Sequence, residues 1–324
     1  MIDYLLAKAQ EDERLTQKEI QHLLSYDPYS SAACRTIGVA SELSRSLQDN
    51  EAEIHGLLVL DQAACLEEGK TCSKAAGDSV LSIEEAVAMA KRFEDDGCHV
   101  IQLAIASDFS YSKLAPYLPK LRAALKPHTP LVINGGADCA AHADALKQAG
   151  VNGVYHALCL RSAEEAENSA EQRCASVDKF LAAGLQMATC VESIGPEHNN
   201  REIAELICYA ASIKSAYSGA ARRIPVLDTP MGVMGTIPEV RQAQIVAITR
   251  LAMPHATVAT ATHAPCALAA LGGASFFWAE TGTSPRASVT GTEERRSLSV
   301  EELIHMFWES GWSVRQGKSR IWAV

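Results

Sequence analysis

Apolar positions recur at helical spacing over the first 50 residues and then change rhythm. Leu5, Leu6 and Ala9 share one helical face. Thr16, with Glu19 three residues on, has the pattern of a capping box opening a run that ends near Leu24. Ser30–Leu47 is a third helix candidate. From Ile54 onward, short apolar runs alternate with longer amphipathic ones. The strand-like runs are Ile54–Leu60, His99–Ala104, Pro130–Asn134, Gly153–Ala157, Leu185–Thr189, Arg223–Asp228, Thr257–Ala261 and Ser275–Ala279. The helix-like runs are Ser82–Asp96, Tyr111–Leu125, Asp138–Ala149, Ala170–Ala183, Glu197–Ile213, Pro238–Met253, Ala264–Leu271 and Val300–Ser310. Ser82 and Glu85 repeat the capping-box pattern, and Pro238 stands where a first helical turn favours it.

This alternation predicts an α/β fold with parallel strands, because a parallel pair needs a crossover and the helices supply it. Eight such units over about 260 residues have the size of a (β/α)8 TIM-type barrel. An N-terminal helical extension over 1–50 and a barrel over 51–324, with a closing helix and tail, follow from the same pattern. An open doubly wound sheet is the alternative, but no G-x-G-x-x-G follows the first strand. In a barrel, chemistry sits on the loops that follow the strands.

Composition narrows the function. With 48% hydrophobic and 21% charged residues, the chain is an ordinary globular one. Its net charge of -10 disfavours phosphate backbones, so no nucleic-acid partner is expected. No apolar run approaches the ~20 residues of a membrane span, and the acidic start MIDYLLAKAQEDER is unlike a secretory signal. A cytoplasmic protein with no membrane partner is the expectation. Ten cysteines are too few for a disulfide scaffold, so reduced thiols are expected.

The loop after the first strand-like run, from Asp61 to Ser73, reads DQAACLEEGKTCS. Cys65 and Cys72 stand seven apart with Gly69 between them. This loop resembles that of the biotin synthase group of radical S-adenosylmethionine enzymes, which includes a hydrogenase maturase and methylornithine synthase. There the pattern is Cys-x3-Cys-x2-Cys; here it is Cys-x3-Gly-x2-Cys, and Thr71 replaces an aromatic residue. The likeness extends from about Leu15 to Gly311. Arg173 and Gly184, in RCASVDKFLAAGL, resemble the segment whose arginine holds the carboxylate of S-adenosylmethionine. Ile194–Glu197 resembles a Gly-x-Gly-Glu turn, Gly235–Thr236 a Gly-Thr-Pro turn, and Ala247–Pro254 the end of the seventh repeat's helix. Tyr155–Cys159 stands in place of Asn-His-Asn-Leu-Asp, and Ala104–Asp108 in place of a glycine-and-acid motif.

The resemblance implies a metal site at Cys65 and Cys72 for a four-iron four-sulfur cluster, one ligand short. It implies S-adenosylmethionine contacts from Arg173, Glu197, Ser107, Asp108 and His156. Cys98, Cys139, Cys159, Asp61 or a partner protein are candidates for the missing ligand. Arg173 as a solvated helix residue and Glu197 as a helix cap are the plainer alternatives. Glu192 could bind a ribose or an ammonium group. His156, His263 and Asp228 end strands, where they could act as acid or base. Trp278 and Glu280 end the last strand. Gly135–Gly136 offers close backbone approach, and Arg222–Arg223 and Arg295–Arg296 read as solvated faces.

Two functions follow from the resemblance. The first is a radical S-adenosylmethionine enzyme of cofactor-biosynthesis type, acting on a small molecule through a 5′-deoxyadenosyl radical and fed by an electron-donor protein. The second is a degenerate homologue without the cluster, binding a small molecule or serving as partner of an active paralogue. Ordinary acid–base chemistry in a barrel is a weaker third reading, with no paired carboxylates or nucleophile triad to support it.

Overall fold

The computed structural model describes residues 1–60, 80–105, 109–157, 160, 167–223, 225, 230–280 and 298–322. Its strands are β1 (Glu51–Val59), β2 (Val100–Ala104), β3 (Leu131–Asn134), β4 (Gly153–Tyr155), β5 (Gln186–Ala188), β6 (Val191–Ile194), β7 (Tyr217–Arg222), β8 (Ala259–Ala261), β9 (Phe276–Ala279) and β10 (Ser313–Val314). All pairings are parallel. The order is β5-β4-β3-β2-β1-β9-β8-β7-β6, with β10 beside the start of β1. Only Thr189 and Cys190 separate β5 from β6, so the two ends of that order are neighbours along the chain. The sheet is curled and covered by helices, the layout of a TIM-like α/β barrel.

Alternation along each strand sorts two cores. On β1, Ile54 and Leu58 point outward and pack with helix residues such as Ala86, Ala90 and Leu303. Leu57 points inward, to Val100, Val132, Tyr155, Tyr217, Phe276 and Trp278. Rings fill this interior. Tyr217 meets Phe276 edge-on at 4.6 Å and stacks with Tyr155 at 6.0 Å. His55 stacks on Phe276 at 4.2 Å.

The helices follow the capping chemistry. Thr16–Glu19 and Ser82–Glu85 both form reciprocal capping boxes, opening Gln17–Leu24 and Ile83–Asp95. Helices Ile2–Gln10, Gln17–Leu24 and Ser31–Leu47 precede β1. They bury Leu5, Leu6, Ile20, Leu23 and Leu24 in the same outer core as the barrel helices. The helix Glu239–Ala252 lies beneath them and is buried from Gln242 through Ala252. Its polar groups find partners. Gln244 Nε2 donates to the Tyr26 carbonyl (3.0 Å), and Arg241 Nη1 to that of Leu24 (2.8 Å). Arg250 donates to the carbonyls of Thr257, Met253 (3.2 Å) and Pro254 (3.1 Å).

The chain end closes the N-terminal end of the barrel. Glu53, buried on β1, accepts from Ser319 Oγ (2.7 Å), the Arg320 backbone N–H (2.6 Å) and His55 Nε2 (3.2 Å). Ile321 and Trp322 then pack into the interior.

The expected sixth strand, Arg223–Asp228, is displaced: the strand is Tyr217–Arg222. Its Ser-Gly-Ala-Ala stretch lacks the branched residues that mark strands, because the sheet leaves room only for small groups there. A Cβ on Gly219 would stand 1.9 Å from the Ala261 carbonyl oxygen on β8. The expected helix Tyr111–Leu125 is broken into Tyr111–Leu114 and Tyr117–Ala124 around Pro116, which has no N–H to donate.

Gly219→Ala is therefore expected to destabilise the fold by about 2–3 kcal/mol, the upper range for overpacking. The measurement is the urea midpoint. An unchanged midpoint would mean that β7 and β8 are not packed backbone to backbone.

Candidate functional site

The C-terminal ends of the strands gather a polar cluster above the aromatic interior. β4 ends at Tyr155, Glu192 lies on β6, His263 follows β8, and Trp278 lies on β9 ahead of Glu280. Tyr155 Oη donates to Glu192 Oε1 at 2.5 Å. His263 Nε2 lies 3.8 Å from Glu192 Oε2, and the imidazole stacks on Trp278 at 3.9 Å with an 8° tilt. Trp278 Nε1 donates to Gln102 Oε1 (3.0 Å), which fixes the indole plane. Glu280 is buried. A carboxylate, an imidazole, a phenol and an indole thus converge on the mouth. Burial pushes the Tyr155 and Tyr217 hydroxyls far above their ordinary range, with Cys190 and Glu192 adding to it. Both stay neutral donors. Burial, then Glu192, does the same to the Cys190 thiol, which is a packing group and not a thiolate.

A second ion pair joins the buried Arg223 to Glu197, which reaches the surface. Arg223 grips Glu197 through both guanidinium nitrogens, Nη1 to Oε2 at 3.2 Å and Nη2 to Oε1. Burial alone would raise the Glu197 carboxyl, but the bonds from Arg223 outweigh it and hold the group below its usual range. The pair lies across Gly195, where a Cβ would come within 2.3 Å of both Arg223 Nη1 and Glu197 Oε2. The glycine in the Ile194–Glu197 turn is therefore required by the ion pair. Arg222 bonds Glu239 (2.9 Å). The expectation of solvated faces at Arg222–Arg223 is thus corrected: both are anchored, Arg223 in the interior.

Of the residues expected at the cofactor, Arg173 lies on the helix Glu167–Ala182 and donates from Nη1 to the Ala157 carbonyl (3.0 Å), at the end of the fourth strand. His156 follows Tyr155, and its ring is buried near Phe180 (6.3 Å between centroids). Burial, and then the charge of Arg173, push its pKa down to about 4. Arg173 and His156 are thus near each other, while Glu197 is tied to Arg223. Cys65, Cys72, Ser107, Asp108, Asp61, Cys159, Asp228, Arg295 and Arg296 lie outside the described residues.

Cys98 precedes β2, at the N-terminal end of a strand about 16 Å long. It packs in the outer core at the floor end, away from the mouth. Cys139 is buried in the outer core, its thiol pushed up to about 11 by burial and then by Asp138. Among the described residues, no three His, Cys, Asp or Glu side chains stand together as a metal site. The strand-end rule pointed to Glu192, His263, Trp278 and Glu280. It missed Gln102, an inward residue of β2 with no motif around it, and Arg223, whose partner is 26 residues away.

No family model matches this sequence, and no curated protein matches it. Solved structures share its fold. Methylornithine synthase superposes with a TM-score of 0.78 at 14% identity, over 96% of this chain and 97% of that one. The FeFe-hydrogenase maturase HydG from Carboxydothermus hydrogenoformans does so at 0.72 and 19%, over 96% and 78%. HMG-CoA lyase from Brucella melitensis does so at 0.56 and 14%, over 84% and 95%. At such identities the likeness is one of fold, and these folds carry different chemistries.

A neutral buried histidine makes stability depend on pH. The folded pKa of His156 lies below its ordinary 6.5, at about 4. Its contribution is complete above 6.5 and is lost as pH falls toward 4, up to about 3 kcal/mol. His156→Phe should flatten the urea midpoint over that window relative to the native chain. Equal slopes in the two proteins would place the histidine in solvent.

Proposed function

We propose that this chain is a biotin synthase-like (β/α)8 barrel that binds a small polar molecule at its mouth without holding a four-iron cluster of its own. In this reading β5 and β6 are one strand broken at Thr189 and Cys190, and 1–50 is a helical extension. The donor set carries the proposal. A four-iron cluster that leaves one iron open for S-adenosylmethionine needs three protein thiolates. The cluster loop supplies Cys65 and Cys72, with Gly69 at the middle place. The described thiols do not make up the deficit: Cys98 lies in the outer core at the other end of the barrel, burial keeps Cys139, Cys190 and Cys266 protonated, and Cys34, Cys174 and Cys208 lie on helices outside the strands. Among the described residues none completes the donor set for the cluster, and no chemical step is derived through it.

The mouth supports binding by other means. Glu192 places a carboxylate beside the stacked His263–Trp278 pair and the Tyr155 hydroxyl. Carboxylates edged by aromatic faces favour a ligand bearing a cationic nitrogen or sulfur. The neutral Tyr155 holds Glu192, Gln102 holds Trp278, and Arg223 keeps Glu197 ionised. S-adenosylmethionine, a sulfonium amino acid, is one compound of this class. An active three-cysteine paralogue is the protein partner this reading implies.

Anaerobic reconstitution with iron and sulfide tests the proposal. Iron well below four per chain is expected, unchanged in Cys65→Ala, Cys72→Ala. Four irons per chain, lost in that variant and giving a reduced EPR spectrum that S-adenosylmethionine alters, would overturn the reading in favour of the radical enzyme.

The mouth is tested by thermal shift with primary amines, amino acids and S-adenosylmethionine. At a hundredfold excess over the dissociation constant, a mouth ligand should stabilise by about 2.7 kcal/mol. Glu192→Gln should abolish the shift. A shift that persists in the variant would place the ligand elsewhere.

A further inference from the structure

A cavity of about 950 Å³ opens at the N-terminal end of the barrel, opposite the mouth. Its floor is apolar: Leu185 and Met187 from the entry to β5, and Ile321 and Trp322 from the tail. Leu181, Ile213 and Val258 extend the apolar wall, and Leu181 is 39% exposed, unusual for a leucine of a packed helix. The charged groups that line its rim are Lys214, Lys318 and Arg320, with His128 beside them, and no carboxylate among the described residues does. Acidic residues outnumber Lys and Arg 39 to 29 along the whole chain, so this rim runs against the overall charge. Arg320 pairs with Asp49 across the tail. Neither Lys214 nor Lys318 has an ion-pair partner among the described residues, and both are exposed. Lys214 stands just past the end of the helix Asn200–Ser212 in a left-handed conformation (φ 50°). The indole Nε1 of Trp322 is a buried donor with no partner among the described residues.

We propose that this cavity is a second binding site, for a small molecule with one anionic head and an apolar body. The volume lies within the range of ordinary ligand sites, about 300–1,000 Å³. The apolar floor supplies affinity by burial, and the two lysines select the sign of the head group. A neutral or cationic body of the same shape gains only the first term. Functional groups of a barrel cluster at the other end, so this cavity serves binding and not the chemistry of the mouth. The proposal does not depend on how the mouth is read.

The probe is 8-anilinonaphthalene-1-sulfonate, an anion with an aromatic body, titrated into the full chain by fluorescence. N-phenyl-1-naphthylamine, which lacks the sulfonate, is the neutral comparison. One saturable site for the anion is expected. The double variant Lys214→Glu, Lys318→Glu should weaken it by about tenfold or more and leave the neutral probe unchanged. Both lysines are exposed, so the variant retains its fold, checked by circular dichroism and the thermal midpoint. Ala216→Trp, which adds bulk at a lining residue, should lower the affinity for both probes. The proposal is overturned if the anion does not saturate, or if it binds the native chain and the double variant equally.

Discussion

The inside of the barrel is solid, and that constraint decides where anything else can bind. Tyr155, Tyr217, Phe276 and Trp278 pack against one another in the interior, and Trp322 enters from below to meet Tyr217 at 5.6 Å. Gly153 is the complement of that insertion, since a Cβ there would stand 2.0 Å from the Trp322 ring. A column of rings therefore separates the two ends. At the mouth the column is topped by the stacked His263–Trp278 pair. The strand ends there are held still by two separate bonds, from Trp278 to Gln102 and from Tyr155 to Glu192.

The outside of the barrel is held by an unusually buried helix. Glu239–Ala252 lies between β7 and the N-terminal helices, so it has hardly any solvent face. Such a helix cannot be purely apolar unless every neighbour is. Gln244 and Arg250 instead end backbone groups that the adjoining turns leave open. Arg250 caps the carbonyls of Met253, Pro254 and Thr257, the turn that leads into β8. Removing its guanidinium would strand several buried acceptors at once, each costing about 1–3 kcal/mol. The three N-terminal helices are thus packed on the barrel by a layer that both share.

Much of this was legible in the sequence where local chemistry is strong. Short apolar runs and amphipathic stretches place most strands and helices, and both capping boxes expected from Thr16–Glu19 and Ser82–Glu85 form. The failures have physical causes. β7 is built from small residues because two backbones nearly touch at Gly219, so its apolar signal is weak and the more conspicuous Arg223–Asp228 run drew the assignment. Arg223 reads as a surface charge because its partner, Glu197, comes from a separate repeat. Strand ends pointed to Glu192, His263, Trp278 and Glu280, since direction along a parallel strand is a local property. Their mutual stacking and hydrogen bonds depend on how neighbouring strands register, and no local pattern carries that.

Parallel strands also sort the chain's chemistry by position. A residue that precedes a strand belongs to the floor, and one that follows it belongs to the mouth. Cys98 precedes β2, so a strand about 16 Å long separates it from the mouth. The same sorting separates charge. Glu192 lies on β6 and Glu280 follows β9, while Lys214 precedes β7 and Lys318 lies on the tail beneath the floor. One end of the barrel presents carboxylates among aromatic faces, and the other presents ammonium groups above an apolar cavity. The column of rings between them separates the two ends of the barrel.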